Sequence, residues 1–266
     1  MYTSYVSEKG ENLMDITESL QQQGERLEEL RPGGYRILQK EQGFHYTMDA
    51  VLLADFARIR SGDTVADFGT GTGIIPLLLL ERGKGKAFHA FELQPEMAEM
   101  ASRTMQMNGL QDVVQVHPLP VEQAETVLPR CSLDAIVCNP PYGAFGTTLL
   151  NPEDNQRVSR HQNADGLAAW LRVAFLLLKG KGRISLVYPA AQMLQLMDAL
   201  QAAHLQPKRF RLVYPLPDRA PNLVLVDAIK DGRPMLQPEP PLIVHHTDGT
   251  ETEEIRRIYQ WEEKHV

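Results

Sequence analysis

Hydrophobic and polar positions along this 266-residue chain fall into short apolar runs separated by longer stretches of mixed periodicity. The runs Thr64–Asp67, Ala87–Phe91, Val113–Val116, Leu133–Cys138 and Arg183–Val187 have strand length, and no such run continues far enough for a helix. Between and after them, Gly73–Glu81, Pro95–Met107, Val121–Val127, Leu167–Leu178 and Ala190–Ala203 read as helices, with Pro95 where a first helical turn tolerates proline. Strands alternating with helices predict an α/β fold, a doubly wound and mostly parallel sheet covered on both faces. The rhythm then changes. Arg209–Tyr214 and Asn222–Ile229 flank the Pro-rich turn PLPDRAP, which predicts that an antiparallel strand hairpin ends the sheet, before a short run at Leu242–His245 and a charged C-terminal helix. Upstream, Met48–Ile59 forms a helix that Thr47 can cap, with Val51, Leu52, Ala54 and Phe56 as its apolar stripe. Residues 33–47, GGYRILQKEQGFHYT, suggest an aromatic-rich strand or hairpin, and residues 1–30 a polar extension with a short helix over Asp15–Leu30. One domain is expected over 31–266.

Composition adds exclusions. Hydrophobic residues at 43% and charged residues at 23% describe a chain able to bury a core. No apolar run approaches the roughly 20 residues of a membrane span, and the opening MYTSYVSEKGENLMD carries no apolar block of a secretion signal. Cys131 and Cys138 form neither a CxxC pair nor a disulfide framework, and His45, His89, His117 and His204 show no ligand spacing, so no metal is expected. A reducing, cytoplasmic setting fits this cysteine usage. The net charge of −7 argues against a general nucleic-acid coat while leaving room for a local basic patch.

Candidate chemistry begins at VADFGTGTGI, residues 65–74. Gly69, Gly71 and Gly73, with Thr70 among them, lie between a strand and a helix, where a ligand must approach the backbone closely. The spacing is GxGxG rather than the GxGxxG of a dinucleotide site. Asp67 closes the strand, where a carboxylate can face an ammonium group. Twenty-five residues on, Glu92 closes the next strand in HAFELQP, the position from which an acid bonds ribose hydroxyls, with Leu93 beside it. A tight strand-to-helix turn explains the glycines alone; the two acids in register with them point to a nucleotide-type ligand.

The second motif is Asn139-Pro140-Pro141-Tyr142, directly after LDAIVC. A planar amino or amide nitrogen delocalises its lone pair and is a poor nucleophile. Acceptors for both of its N–H groups favour the pyramidal form, whose lone pair can attack. The Asn139 side-chain oxygen and the Pro140 carbonyl are such acceptors, the two prolines stiffen the backbone, and Tyr142 offers a stacking face. At the end of a central strand this tetrapeptide lies where α/β sheets bind ligands.

Together DFGTGTG, the acid in FELQP and NPPY resemble the class I S-adenosylmethionine-dependent methyltransferases, with a Rossmann-like fold. NPPY resembles adenine-N6 or cytosine-N4 nucleic-acid methyltransferases and protein-glutamine methyltransferases. The stretches LQKEQGFHYTMDAVLLADFARI, QRVSRHQNADGLAAWL and LVLVDAIKDGRP resemble the bacterial tRNA(Val) adenine-N6 methyltransferases over roughly residues 25–260. The resemblance implies S-adenosylmethionine as cofactor, tRNA as partner, Asp67 near the methionine moiety and Glu92 on the ribose. It further implies that Thr47 contacts the cofactor's carboxylate and that Phe44 and Tyr46 line its pocket. The family often has an Asp after the third strand for the adenine amino group. Here VHPLPVEQ stands there, leaving the Val121 backbone N–H or Glu122. Alternatives are glutamine-N5 methylation of a protein such as a release factor, and a catalytically silent RNA-binding module.

Arg157, Arg160 and His161 follow NPPY in an expected loop of about 20 residues, long enough for a substrate loop. Arg157 and Arg160 are candidates for RNA contact, with Pro141 on the substrate side. Lys179, Lys181 and Arg183, with Lys208, Arg209 and Arg211, suggest either a phosphate-facing rim or a solvated strand edge.

Overall fold

The computed structural model describes residues 20–31, 33–41, 48–140 and 156–260, with side chains of 156–165 and 260 left aside. A hairpin of β1 (Glu25–Glu29) and β2 (Arg36–Lys40) precedes α1 (Met48–Phe56), β3 (Thr64–Phe68), α2 (Ile74–Glu81), β4 (Ala87–Phe91), α3 (Pro95–Met107) and β5 (Val114–His117). A 3₁₀ turn at Val121–Thr126 leads to β6 (Leu133–Cys138), α4 (Gln156–Leu177) and β7 (Leu178–Pro189). The chain closes with α5 (Met193–Ala202), β8 (Leu205–Tyr214), β9 (Leu223–Lys230), the two-residue strands β10 (Gln237–Pro238) and β11 (Leu242–Ile243), and α6 (Glu253–Gln260).

The main sheet runs β8-β9-β7-β6-β3-β4-β5, with β10 and β11 both paired to β8. Strands β5, β4, β3, β6 and β7 are parallel, while β9 is antiparallel to both β7 and β8. The expected doubly wound sheet ending in an antiparallel hairpin is the observed one. Leu78, Met105 and Ile255 bring α2, α3 and α6 onto one face with α1, and Leu171, Leu196 and Val121 bring α4, α5 and the 3₁₀ turn onto the other. Among the described residues no helix is long and apolar enough to cross a membrane.

Three differences from the periodicity have physical causes. Helix α1 is buried on nearly every side, only Asp55 being exposed, so its six buried residues carry no polar stripe. Its last carbonyls are capped from outside: Lys84 Nζ donates to the carbonyls of Ala54, Asp55 and Ala57 at 2.8–2.9 Å, and Arg209 to that of Phe56. Lys84 lies just before β4, at the rear edge of the sheet, so the start of α1 lies toward the strands' carboxyl ends. Strand β7 begins five residues before the expected Arg183, directly where α4 stops. The excess chain between Leu178 and Arg183 bulges out, with Lys181 at φ +67°.

The third difference is at the front. Glu25–Glu29 is a strand rather than helix, paired with β2 from Glu25↔Lys40 to Glu29↔Arg36. Helix α3 holds this hairpin by side chains. Thr104 Oγ1 accepts from Leu38 N at 3.2 Å, and the Asn108 amide both accepts from Arg36 N (2.9 Å) and donates to Arg36 O (2.6 Å), as a neighbouring strand would. Arg103 reaches both carboxylate oxygens of Glu25 at 2.6 and 2.7 Å, and Glu99 as well. This bidentate pair is nearly buried, and it lowers the Glu25 carboxyl below its ordinary range.

Candidate active site

Strand order places the site. From β3 the chain moves outward to β4 and β5, then returns to the other flank of β3 as β6. Loops leaving β3 and β6 therefore part in opposite directions, opening a crevice at their carboxyl ends where such sheets bind ligands. The register Phe68↔Cys138 sets Gly69 alongside Asn139, and Phe68↔Phe91 sets Gly69 alongside Glu92. Three motifs far apart in sequence thus meet at one rim.

The loop after β3 is anchored to β4, since Gly69 N and Thr70 N both donate to Phe91 O, at 3.0 and 2.9 Å. Gly69, Gly71 and Gly73 have φ of +76°, +58° and +88°, a region that side chains disfavour. Their surroundings differ. A Cβ on Gly73 would collide with Met105 of α3, whereas one on Gly71 would meet open space. Gly73 therefore lets α2 pack close, and Gly71 leaves backbone facing the crevice.

Glu92, nearly buried, bridges the loop to its own strand: Oε2 accepts from Gly71 N at 3.0 Å and Oε1 from Gln94 N at 2.9 Å. Each oxygen keeps a further lone pair for a ligand hydroxyl. Leu93 beside it is 66% exposed.

Asp67 is the electrostatic anomaly. It has no solvent exposure, and neither carboxylate oxygen nor the buried Thr70 hydroxyl has a hydrogen-bond partner among the described residues. Burial pushes its pKa up to about 7, the Glu92 charge adds to this, and the neighbouring Thr70 hydroxyl, too poorly placed for a hydrogen bond, opposes it only weakly. A buried carboxylate without donors is costly unless a cationic ligand completes it. Cys138, at the same level on β6, is pushed well up by burial and by Asp67, so it is an inert core thiol.

Asn139 is half-buried and Pro140 buried at the end of β6. Pro141, Tyr142, Phe44, Tyr46 and Thr47 lie outside the described residues. Arg157 and Arg160, expected in a loop, fall instead in the first turns of α4, because the helix begins at Gln156, eleven residues before Leu167. The basic clusters are not a rim of the crevice. Lys179 pairs with Asp134 at 2.7 Å near the start of β6, about five residues and so roughly 17 Å from Asn139. Lys181 and Lys208 bond the carbonyls of Asp231 and Arg233. Arg183, Arg209 and Arg211 are engaged by Asp227, Glu239 and Glu254.

Sequence reasoning missed Trp170. Its indole ring is edge-on to Phe68 at 6.2 Å and its N–H donates to Glu122 Oε1 at 3.1 Å. Within AAWLRVAFLLL it reads as one more apolar helix position, and only the tertiary fold brings it under the glycine loop.

The fold and this loop define a class I methyltransferase. The family model for the methyltransferase small domain matches residues 47–152, spanning the glycine loop, Glu92 and Asn139. A tRNA1(Val) (adenine(37)-N6)-methyltransferase of Parabacteroides distasonis is 30% identical over 181 residues, 67% of this chain and 74% of that protein. One from Aliivibrio salmonicida is 25% identical over 78% of this chain and 86% of its own length. A crystal structure from Agrobacterium tumefaciens, titled a predicted O-methyltransferase, superposes with a TM-score of 0.64 at 25% identity, covering 80% of this chain and 96% of that one. The chain belongs to the methyltransferase family of these tRNA1(Val) (adenine(37)-N6) relatives. Its cofactor is S-adenosylmethionine, and the residues present fit it: the Asp67 carboxylate, without a donor among the described residues, suits the ammonium group, and the open side of Gly71 next to Glu92 suits the ribose.

Proposed function

We propose that the methyl acceptor is the N6 amino group of an adenine in tRNA. The observation that carries this reading is the placement of Asn139 and Pro140 alongside Gly69, at the carboxyl end of the strand next to the cofactor loop. The names of the relatives, which specify adenine 37 of tRNA1(Val), support the same acceptor. Bound S-adenosylmethionine supplies an electrophilic sulfonium methyl. Asn139 Oδ1 and the Pro140 carbonyl accept the two N–H bonds of the target amine, drawing its nitrogen toward the pyramidal form that presents a lone pair. Tyr142 stacks on the base, and Pro141 stiffens the turn. No strong base is required, because the proton leaves after the nitrogen has become cationic.

Phe44, Tyr46 and Thr47 are assigned to the methionine side of the cofactor. Supporting this, both flanks of residues 42–47 lie at the front rim: Lys40 pairs with Glu96 in the first turn of α3 at 2.8 Å, and Met48 starts α1 at its front end. Leu93, exposed beside Glu92, gives the cofactor's adenine an apolar face. Arg157 and Arg160, at the start of the helix that follows NPPY, are the phosphate contacts of the reading.

The test is transfer of tritiated methyl from S-adenosylmethionine to total tRNA lacking the modification, followed by nucleoside analysis. N6-methyladenosine is the expected product. Label appearing as methylglutamine in a release factor, with none in tRNA, overturns the acceptor and leaves the cofactor site in place.

A further inference from the structure

A cavity of about 330 Å³ lies away from the crevice, bordered by the last turns of α1, Lys84, strands β8 and β9, and α6. Volumes of this order take a small molecule. Strand β9 stands three strands from β3, roughly 14 Å at ordinary strand spacing, so this lining is separate from the cofactor loop. Leu52, Phe56, Leu225, Leu242 and Ile258 make its apolar walls. Its charges are unbalanced: Arg58, Lys84, Arg209 and Arg211 stand against only two carboxylates, Asp55 and Glu239. Asp227 and Glu254 touch Arg209 and Arg211 from outside the cavity but are shared with Arg183 and Arg257, so two positive charges stay in excess. Lys84 spends its three N–H bonds on the neutral carbonyls of Ala54, Asp55 and Ala57, and among the described residues no carboxylate touches it. Burial pushes its pKa down to about 8, the Asp55 charge opposing this and the Arg82 and Arg209 charges adding to it. Arg209 is nearly buried, and its Nε, 3.6 Å from Asp227 Oδ2, has no hydrogen-bond partner among the described residues. Arg58 stands at the mouth, with 61% of its side chain exposed.

We infer that this cavity is a second ligand site, for a small organic phosphate whose phosphoryl group meets Arg58 and whose apolar body lies against Leu52, Leu225 and Ile258. A phosphate monoester brings close to the two negative charges that the lining lacks, and guanidinium groups match its oxygens. Glu239 shows how the wall holds an anion: its Oε1 accepts from Arg58 Nη2 at 3.4 Å and from Arg209 Nη1 at 2.8 Å. The apolar walls favour an ester over the free ion, since its body leaves water on binding. A phosphodiester within an RNA strand carries one charge and no apolar end to bury, so it fits this cavity less well.

Calorimetry of the full chain with phenyl phosphate, inorganic phosphate and benzyl alcohol, each in the presence of saturating S-adenosylhomocysteine, tests this without reference to turnover. Phenyl phosphate should bind once per chain, about ten- to a hundredfold more tightly than inorganic phosphate, and the uncharged alcohol more weakly still. Arg58→Gln should weaken phenyl phosphate by about three- to tenfold. Glu239→Gln keeps an acceptor for both arginines and removes a repelling charge, so it should tighten binding by a similar factor. A gain of affinity cannot come from a damaged fold. Arg58→Glu, at the exposed mouth, should reduce affinity by about thirtyfold or more with thermal unfolding unchanged, and gives the answer even where Glu239→Gln folds poorly. Absence of binding while S-adenosylhomocysteine is bound, benzyl alcohol binding as well as phenyl phosphate, or the same affinity in the Arg58 variants as in wild type would each overturn the inference. Displacement of phenyl phosphate by tRNA would also overturn it, and would make this face part of the RNA surface.

Discussion

As the proposed partner of the cofactor's ammonium group, Asp67 should set stability against cofactor binding. Holding a carboxyl ionised where its pKa has risen from the ordinary range near 4 to about 7 costs about 4 kcal/mol. The sign follows from proton counting. Below about pH 4 the group is protonated whether the chain is folded or not, and the folded state carries no penalty. Between pH 4 and 7 the unfolded chain has lost this proton and the folded one still holds it, so stability falls as pH rises and levels off above about 7. Asp67→Asn is neutral throughout and removes this slope. Its buried amide has no partner among the described residues either, which costs about 1–3 kcal/mol, so the cofactor-free variant should be roughly 2 kcal/mol more stable than wild type at pH 8. In a chain of this size that is roughly 4–8 °C in Tm. The same variant should bind S-adenosylmethionine about 10- to 150-fold more weakly, having lost a charge-assisted bond. In the wild type, ammonium binding requires the ionised carboxylate, so affinity at pH 6 should be about five- to tenfold below that at pH 7.5, with close to one proton released per cofactor bound at pH 6. Thermal unfolding without cofactor and calorimetry in buffers of different ionisation enthalpy measure both. A wild-type stability that does not decline from pH 5.5 to 8 relative to Asp67→Asn, together with a pH-independent affinity, would refute the account of Asp67.

Asn139→Ala should leave S-adenosylmethionine affinity nearly intact while single-turnover methyl transfer drops by about two to three powers of ten, the scale for one transition-state hydrogen-bond partner; a parallel loss of binding would place Asn139 in the cofactor site instead. Tyr142→Phe should keep much of the turnover that Tyr142→Ala loses, and equal inactivity would assign the role to the hydroxyl rather than the ring. Arg103→Met leaves the Glu25 carboxylate nearly buried beside an apolar side chain, which costs about 3–5 kcal/mol. Amide hydrogen exchange should show β1 and β2 unprotected while β3 and β6 stay protected, and a uniform loss would mean that the hairpin is integral to the core. Lys179→Ala and Lys181→Ala, at the rear edge, should leave the salt dependence of tRNA binding unchanged, whereas Arg157→Ala should reduce its slope by about one; the opposite pattern would put the RNA on the rear edge.

Much of the architecture is local information. Ala87–Phe91, Pro95–Met107 and Leu133–Cys138 are the elements their periodicity predicts, because each presents a continuous apolar run or a stripe bounded by turn residues, and alternation of the two implies a parallel sheet. Asp67, the three glycines, Glu92 and Asn139 stand out as site candidates in the sequence for a related reason: strand ends in such sheets are where ligands bind, and unusual residues at those points are conspicuous. What the chain could not show by itself is what depends on partners distant in sequence. Glu25–Glu29 becomes a strand only because Arg103, 78 residues away, neutralises Glu25 and because Thr104 and Asn108 hold the free edge of β2. Lys179, Lys181 and Arg211 look like a basic patch in sequence and are spent on Asp134, Asp231 and Glu254 in space. Trp170 carries no local mark of function, for an aromatic in an apolar helix is ordinarily core; its contact with Gly69 and Glu122 arises only when α4 packs beneath the loop. The sharp rise in the Asp67 pKa is likewise tertiary, since desolvation is set by everything around a group and by nothing in its neighbours along the chain.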